Sequence, residues 1–300
     1  MSLASKILNW TFRNGDNKRD AGLTTPDTIE RFNDIVYGTD PHWQVLDVYR
    51  PKKEKGNTLP VIVSVHGGGW VYGDKERYQF YCMDLAERGF AVVNFTYRLA
   101  PKYKYPDPLE DTNLVFSWVL DHADQYGFDK ERIFAVGDSA GAHLLGLYCC
   151  ICTNRVYAKE YSFQAPEGFV PTAAALNCGV YKTSPAQKGL ISWLMKDFLP
   201  EKGTKEELQK INVLRHITRR FPPVLFMTCS DDFLKEQAPL LEARLKKLDV
   251  PYVSKYYGDE QNKLPHVFHC NIRSEAAKIC NDDECEFFKG FCRIETERDE

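Results

Sequence analysis

Short apolar runs recur along the 300-residue chain with polar turns between them. They are "VLDVYRP" from Val45, "PVIVSVHG" from Pro60, "AVVNFTYR" from Ala91, "RIFAVGD" from Arg132, "TAAALNCG" from Thr172, "PVLFMTCS" from Pro223 and "PYVSKYY" from Pro251. Each has the length and β-branched or aromatic content of a strand, and several are apolar on both faces, as strands buried in a parallel sheet are. Between most of them apolar residues return at helical spacing, as in "LEDTNLVFSWVLDHA" from Leu109, "AGAHLLGLYCCIC" from Ala140 and "APLLEARLKKL" from Ala238. Strands alternating with helices predict an α/β fold: a mostly parallel central sheet flanked by helices, in a single domain over 1–300.

Two stretches break the alternation. Residues 1–40 precede the first clear strand, and residues 181–221 carry helical patterns with Trp193, Leu194 and Phe198 between two strands. Insertions of this kind follow the carboxyl ends of strands, where open α/β sheets bind ligands. Both are expected to supply helical cap elements over a pocket, although both also read as ordinary connecting helices. The C-terminal "RIETERDE" is expected to be a frayed, solvated tail.

Composition narrows the function classes. A net charge of −3 offers no bulk attraction to nucleic acid or to an anionic membrane. No apolar run reaches the roughly 20 residues of a membrane span, and the opening "MSLASKILNWTFRNGDNKRD" lacks the apolar core of a signal peptide. The ten cysteines are scattered, and Cys149, Cys150 and Cys152 share one apolar helical run that suits buried thiols better than structural disulfides. A reducing, cytoplasmic setting is expected. No metal is expected, since H-E-x-x-H is absent and the acidic "CNDDEC" near the C-terminus has no recognisable ligand spacing.

The chemistry concentrates at "IFAVGDSAGAHL", Ile133 to Leu144, where Gly137 and Gly141 flank Ser139 between a strand and a helix. A strand–turn–helix of this form lifts a serine to the end of the sheet beside a helix N-terminus. A serine hydroxyl needs a base to remove its proton, and that base needs a carboxylate to orient it. In this arrangement acid and then histidine follow the serine along the chain. His266, in the loop after the last strand-like run, is favoured over His269, which reads as a surface or packing residue. Asp231 and Asp232 both end the run "PVLFMTCSDDFL", and spacing does not separate them. "SVHGGGW", with His66 to Trp70 after its own strand, supplies glycines whose amides can face an oxyanion, joined by the amide of Ala140 after the serine.

"HGGGW", "YRLAPKYKYPDPLED", "ERIFAVGDSAGAHL", "SDDFL" and "PHVF" together resemble the hormone-sensitive-lipase-like carboxylesterases of the α/β-hydrolase fold, over roughly residues 45 to 270. The resemblance implies Ser139 as nucleophile, Asp232 as acid and His266 as base. It implies Gly68, Gly69 and Ala140 as oxyanion donors, with Gly67, His66 and Asp138 in support. Lys102 and Phe233 depart from the family pattern, which usually has Glu and Pro there. "YRLAP" reads as structural. The implied activity is hydrolysis of small-molecule esters with acetyl to butyryl acyl groups through an acyl-enzyme, with no cofactor, and family members often form homodimers. Amide or formamide hydrolysis on the same fold is the alternative; a non-catalytic receptor is disfavoured because His266 is retained.

Overall fold

The computed structural model describes residues 3–184 and 189–293; the expected frayed tail from 294 onward and residues 185–188 of the second expected cap lie outside the described residues. Each of the seven apolar runs forms a strand. They are β2 (Val45–Pro51), β3 (Leu59–Val65), β4 (Ala91–Thr96), β5 (Phe128–Asp138), β6 (Ala174–Asn177), β7 (Val224–Cys229) and β8 (Tyr252–Tyr257). An eighth, β1 (Ile29–Val36), lies in the stretch expected to hold no strand. It escapes notice because it is an edge strand with polar Glu30, Arg31, Asn33 and Asp34, only partly buried and bulged between Phe32 and Ile35. Within 1–40 the helical part is the single helix Leu3–Asp20 that precedes β1.

The strands form one sheet in the order β1-β2-β4-β3-β5-β6-β7-β8. β3 to β8 run parallel, and β1 and β2 add an antiparallel edge. The helices are α1 (Leu3–Asp20), α2 (Lys75–Glu87), α3 (Asp107–Asp121), α4 (Ala123–Tyr126), α5 (Ala140–Thr153), α6 (Arg155–Ala158), α7 (Leu190–Phe198), α8 (Lys205–Lys210), α9 (Val213–His216), α10 (Gln237–Leu248) and α11 (Glu275–Arg293).

Side chains alternate across the pleat, so the two faces of a strand feed two cores. Val61, Val63 and Val65 of β3 join Val115, Phe116, Leu144 and Leu145 of α3 and α5. Ile62, with Phe134 and Val136 of β5, packs instead on Tyr81 and Leu85 of α2 and Phe288 of α11. This is why the central strands read as unbroken apolar runs, and why α5, buried along nearly its whole length, is apolar all round.

Arg98 of "YRLAP" is held by Asp111 at 2.8 Å and Glu110 at 2.8 Å, fixing the connection into α3 as the sequence suggested. The acidic residues of "CNDDEC" are spent within the fold: Asp282 pairs with Arg88, Asp283 accepts from Tyr257, and Glu284 accepts from Tyr81 and Asn177. None of the ten cysteines is bridged; Cys152 and Cys292 are partly exposed and the others are buried. Among the described residues no helix is long and apolar enough to cross a membrane.

Candidate active site

The carboxyl ends of β3, β5 and β7 and the loop after β8 converge on one edge of the sheet. At the end of β5 the backbone of Ser139 takes φ 51° and ψ −113°, a region that L-residues rarely occupy, before α5 begins at Ala140. The Ser139 amide donates to the Asn177 carbonyl on neighbouring β6 at 2.9 Å, and the hydroxyl is not spent on capping the helix. The turn needs its glycines because the first turn of α5 presses against the end of β3: a Cβ at Gly141 would run into the Val65 carbonyl oxygen.

That contact brings the loop after β3 beside Ser139. Gly68 takes φ 109°, and a Cβ there would strike the Tyr72 carbonyl oxygen. Its own carbonyl accepts from the amides of Val71 and Tyr72 at 3.3 and 3.0 Å, which closes the turn. Among the described residues no carbonyl or side chain takes the amides of Gly68 and Gly69. The Gly67 amide, in contrast, is spent on the Tyr78 hydroxyl at 2.9 Å. His66 is fully buried, stacks on Tyr97 with centroids 3.9 Å apart, and contacts the Gly67 carbonyl through Nδ1 at 2.7 Å. Burial pulls its pKa down to about 4, so the ring is neutral and acts as a wedge under the loop.

Asp232 and His266 meet across the gap between β7 and the loop after β8, with His266 Nδ1 2.7 Å from Asp232 Oδ1. Thr228 Oγ1 donates to Oδ2 at 2.7 Å and the Leu234 amide to Oδ1 at 2.8 Å. Burial by itself would raise this carboxyl, but the hydrogen bonds from His266, Leu234 and Thr228 hold it below the ordinary carboxylate value. An ionised carboxylate only accepts, so Nδ1 of His266 carries the proton and Nε2 is left as the basic nitrogen. Geometry thus separates the neighbours that spacing could not: Asp231 is exposed and pairs only its backbone, with Leu264. His269 is not at the surface; it is completely buried against Tyr81, with a pKa pulled down to about 3 by burial.

Ser139 and His266 line one chamber of about 350 Å³, together with Gly67, Gly68, Asp138, Phe233, and Phe12, Asp16 and Arg19 of α1. A second, apolar recess of about 20 Å³ also touches Ser139 and is walled by Gly69, Trp70, Ala140, Val180, Leu190, Leu194 and Phe12. Of the two stretches expected to cap the pocket, α1 and α7 therefore reach it, while α9 turns back to pack on α5, where Gly146 meets Val213. Phe233, one of the departures from the family pattern, lays its ring against the His266 imidazole with centroids 4.3 Å apart.

Sequence reasoning missed Tyr78, whose hydroxyl donates to Asp138 Oδ2 at 2.8 Å while it accepts from Gly67. It also missed the α1 residues, which no motif marks. Burial pushes the Asp138 carboxyl up to about 6, against the opposing hydrogen bond from Tyr78. Two groups bring metal-ligand atoms within 4.8 Å of one another: Asp138, His269 and Cys270, and Cys178, Asp232 and His266. In the second group two of the three members are already paired with each other.

Residues 46–245 match the family model described as BD-FAE. The chain is 28% identical over 237 residues to versiconal hemiacetal acetate esterase of Dothistroma septosporum, covering 74% of this chain and 70% of that one. It is 27% identical over 224 residues to esterase LipC of Mycobacterium tuberculosis, covering 71% of this chain but only 54% of that one. Among solved structures, esterase B of Lactobacillus rhamnosis superposes with a TM-score of 0.88 at 24% identity, covering 98% of this chain and 96% of that one. A bacterial heroin esterase superposes with a TM-score of 0.75 at 21% identity, over 94% and 90%. The sheet order and these superpositions give the α/β-hydrolase fold.

Proposed function

Since the chain belongs to the BD-FAE family, among the hormone-sensitive-lipase-like carboxylesterases, we propose that this carboxylic ester hydrolase is a serine esterase for short-acyl esters. The observation that carries the reading is the 2.7 Å Asp232–His266 pair opening onto the same chamber as the hydroxyl of Ser139. Ser139 Oγ attacks the ester carbonyl as His266 Nε2 takes its proton, and Asp232 orients the ring and stabilises the imidazolium without being protonated. The amides of Gly68, Gly69 and Ala140 hold the oxyanion, with Gly67, His66 and Asp138 shaping the loop. The imidazolium then protonates the departing alkoxide. Water attacks the acyl-enzyme by the same route and releases the acid.

The recess beside Ser139 supports the acyl-length assignment, because about 20 Å³ leaves room for little more than one methyl-sized group. In this reading α1 and α7 serve as the cap of a single domain. The test is hydrolysis of p-nitrophenyl acetate, butyrate and octanoate by wild type and Ser139→Ala. Activity that falls with chain length and vanishes in the variant is expected; equal activity in both proteins would overturn the reading.

A further inference from the structure

The two cavities at Ser139 are unequal in chemistry, and the base divides their roles. The departing alkoxide takes its proton from His266, so the alcohol part of an ester must sit where His266 sits. His266 lines the 350 Å³ chamber and is absent from the walls of the 20 Å³ recess. The chamber is therefore the leaving-group side, an assignment that rests on the serine-esterase reading.

Its outer wall comes from α1 and carries an uneven set of charges. Arg19 directs Nε and Nη2 to Asp20 at 2.7 and 2.8 Å, and Nη1 lies 3.0 Å from Asp16. One guanidinium thus faces two carboxylates, and its fork is aligned with Asp20 rather than Asp16. Asp138 is the second carboxyl that lines the chamber itself, with Asp20 behind Arg19 outside its walls. The Asp16 oxygens are also each engaged, Oδ2 by the Tyr72 hydroxyl at 2.7 Å and Oδ1 by Arg19. Arg77 also bears on Asp16, so two guanidiniums stand against the carboxyls of Asp16, Asp20 and Asp138, and what remains for a ligand is a small net negative charge more than a directional acceptor. Phe12, Tyr72 and Phe233 supply the aromatic surface around it. Surplus negative charge inside aromatic walls is the environment that recognises a diffuse cation, through ring faces and carboxylate together.

We propose that the leaving-group chamber selects esters of ammonium-bearing alcohols, with Asp16 as the residue that sets the charge preference. Asp16 contacts the alcohol part of the substrate and takes no proton.

Acetylcholine and 3,3-dimethylbutyl acetate have the same shape and differ in carrying a trimethylammonium or a tert-butyl group, so their ratio of kcat/KM isolates charge. At low ionic strength the ratio is expected to favour the cation by about tenfold or more in wild type, and to collapse towards one in Asp16→Asn. A wild-type ratio near or below one, with the neutral ester turned over, overturns the proposal and leaves the esterase reading standing. Inertness towards both of them and towards p-nitrophenyl acetate overturns both. Should Asp16→Asn fail to fold, wild type alone decides. Competitive inhibition of the neutral ester by tetramethylammonium chloride, beyond that of equal sodium chloride and weakened by added salt, supports the proposal; its absence rejects it.

Discussion

The Tyr78 hydroxyl donates to the Asp138 carboxylate at 2.8 Å and accepts from the Gly67 amide at 2.9 Å. One buried oxygen therefore ties the residue before the nucleophile to the loop proposed to hold the oxyanion. Tyr78→Phe leaves a buried amide and a buried carboxylate each short of a partner, at about 1–3 kcal/mol per group. Urea unfolding should show a loss of that size, and kcat for p-nitrophenyl acetate should fall more than KM rises. Unchanged kcat in a destabilised protein would limit Tyr78 to a packing role.

Asp232→Asn tests the acid assigned to the pair. The amide can still accept from one neighbour but no longer stabilises an imidazolium, and the loss expected from a triad is about 10³–10⁴ in kcat. Asp231→Asn, at an exposed side chain, should change kcat by no more than about twofold. Steady-state kinetics on the two variants, with circular dichroism to establish folding, distinguishes neighbours that sequence spacing left equivalent.

Leu194 is buried at the back of the small recess, against Gly69. Leu194→Ala enlarges the recess, so activity on p-nitrophenyl octanoate relative to acetate should rise. Stability should drop by about 2–5 kcal/mol, as for other buried leucines. An unaltered chain-length profile would place the acyl group elsewhere.

Glu284 is buried between Tyr81 and Asn177, and burial pushes its carboxyl up to about 7 despite those hydrogen bonds. A carboxyl raised on folding binds more protons in the native than in the unfolded state, so its contribution to stability declines as pH rises from about 4.5 through 7 and stays low above. Glu284→Gln removes that dependence. The stability of the variant relative to wild type should therefore rise across this window by a few kcal/mol and level off. Urea unfolding of both proteins at pH 5, 6, 7 and 8 reads the difference directly, and parallel pH curves would contradict it.

The buried strands were legible because a strand covered on both faces needs apolar residues at most positions, and β3, β4 and β7 have them, with only Ser64, Asn94, Thr96 and Thr228 polar. β1 was not, since a partly solvated edge strand carries no such requirement. Ser139 and the glycine loop announced themselves because backbone crowding demands glycine at fixed offsets, whatever surrounds them. The choice of Asp232 came from family resemblance, and its geometric basis, three donors converging on a buried carboxylate, depends on Thr228, Leu234 and His266 meeting in space. Tyr78 and Asp16 leave no trace in the sequence for the same reason: the group that each meets in space lies 60 or 56 positions away.

Eight of the ten sulfhydryls lie in the interior, spread from Cys82 in α2 to Cys285 in α11. A water-soluble alkylating reagent meets these eight only in molecules that have opened. The fold thus carries its own clock. Added mass on peptides that carry these eight counts openings, and the order in which the peptides acquire label would show whether the helices of the two faces come away together or one after the other.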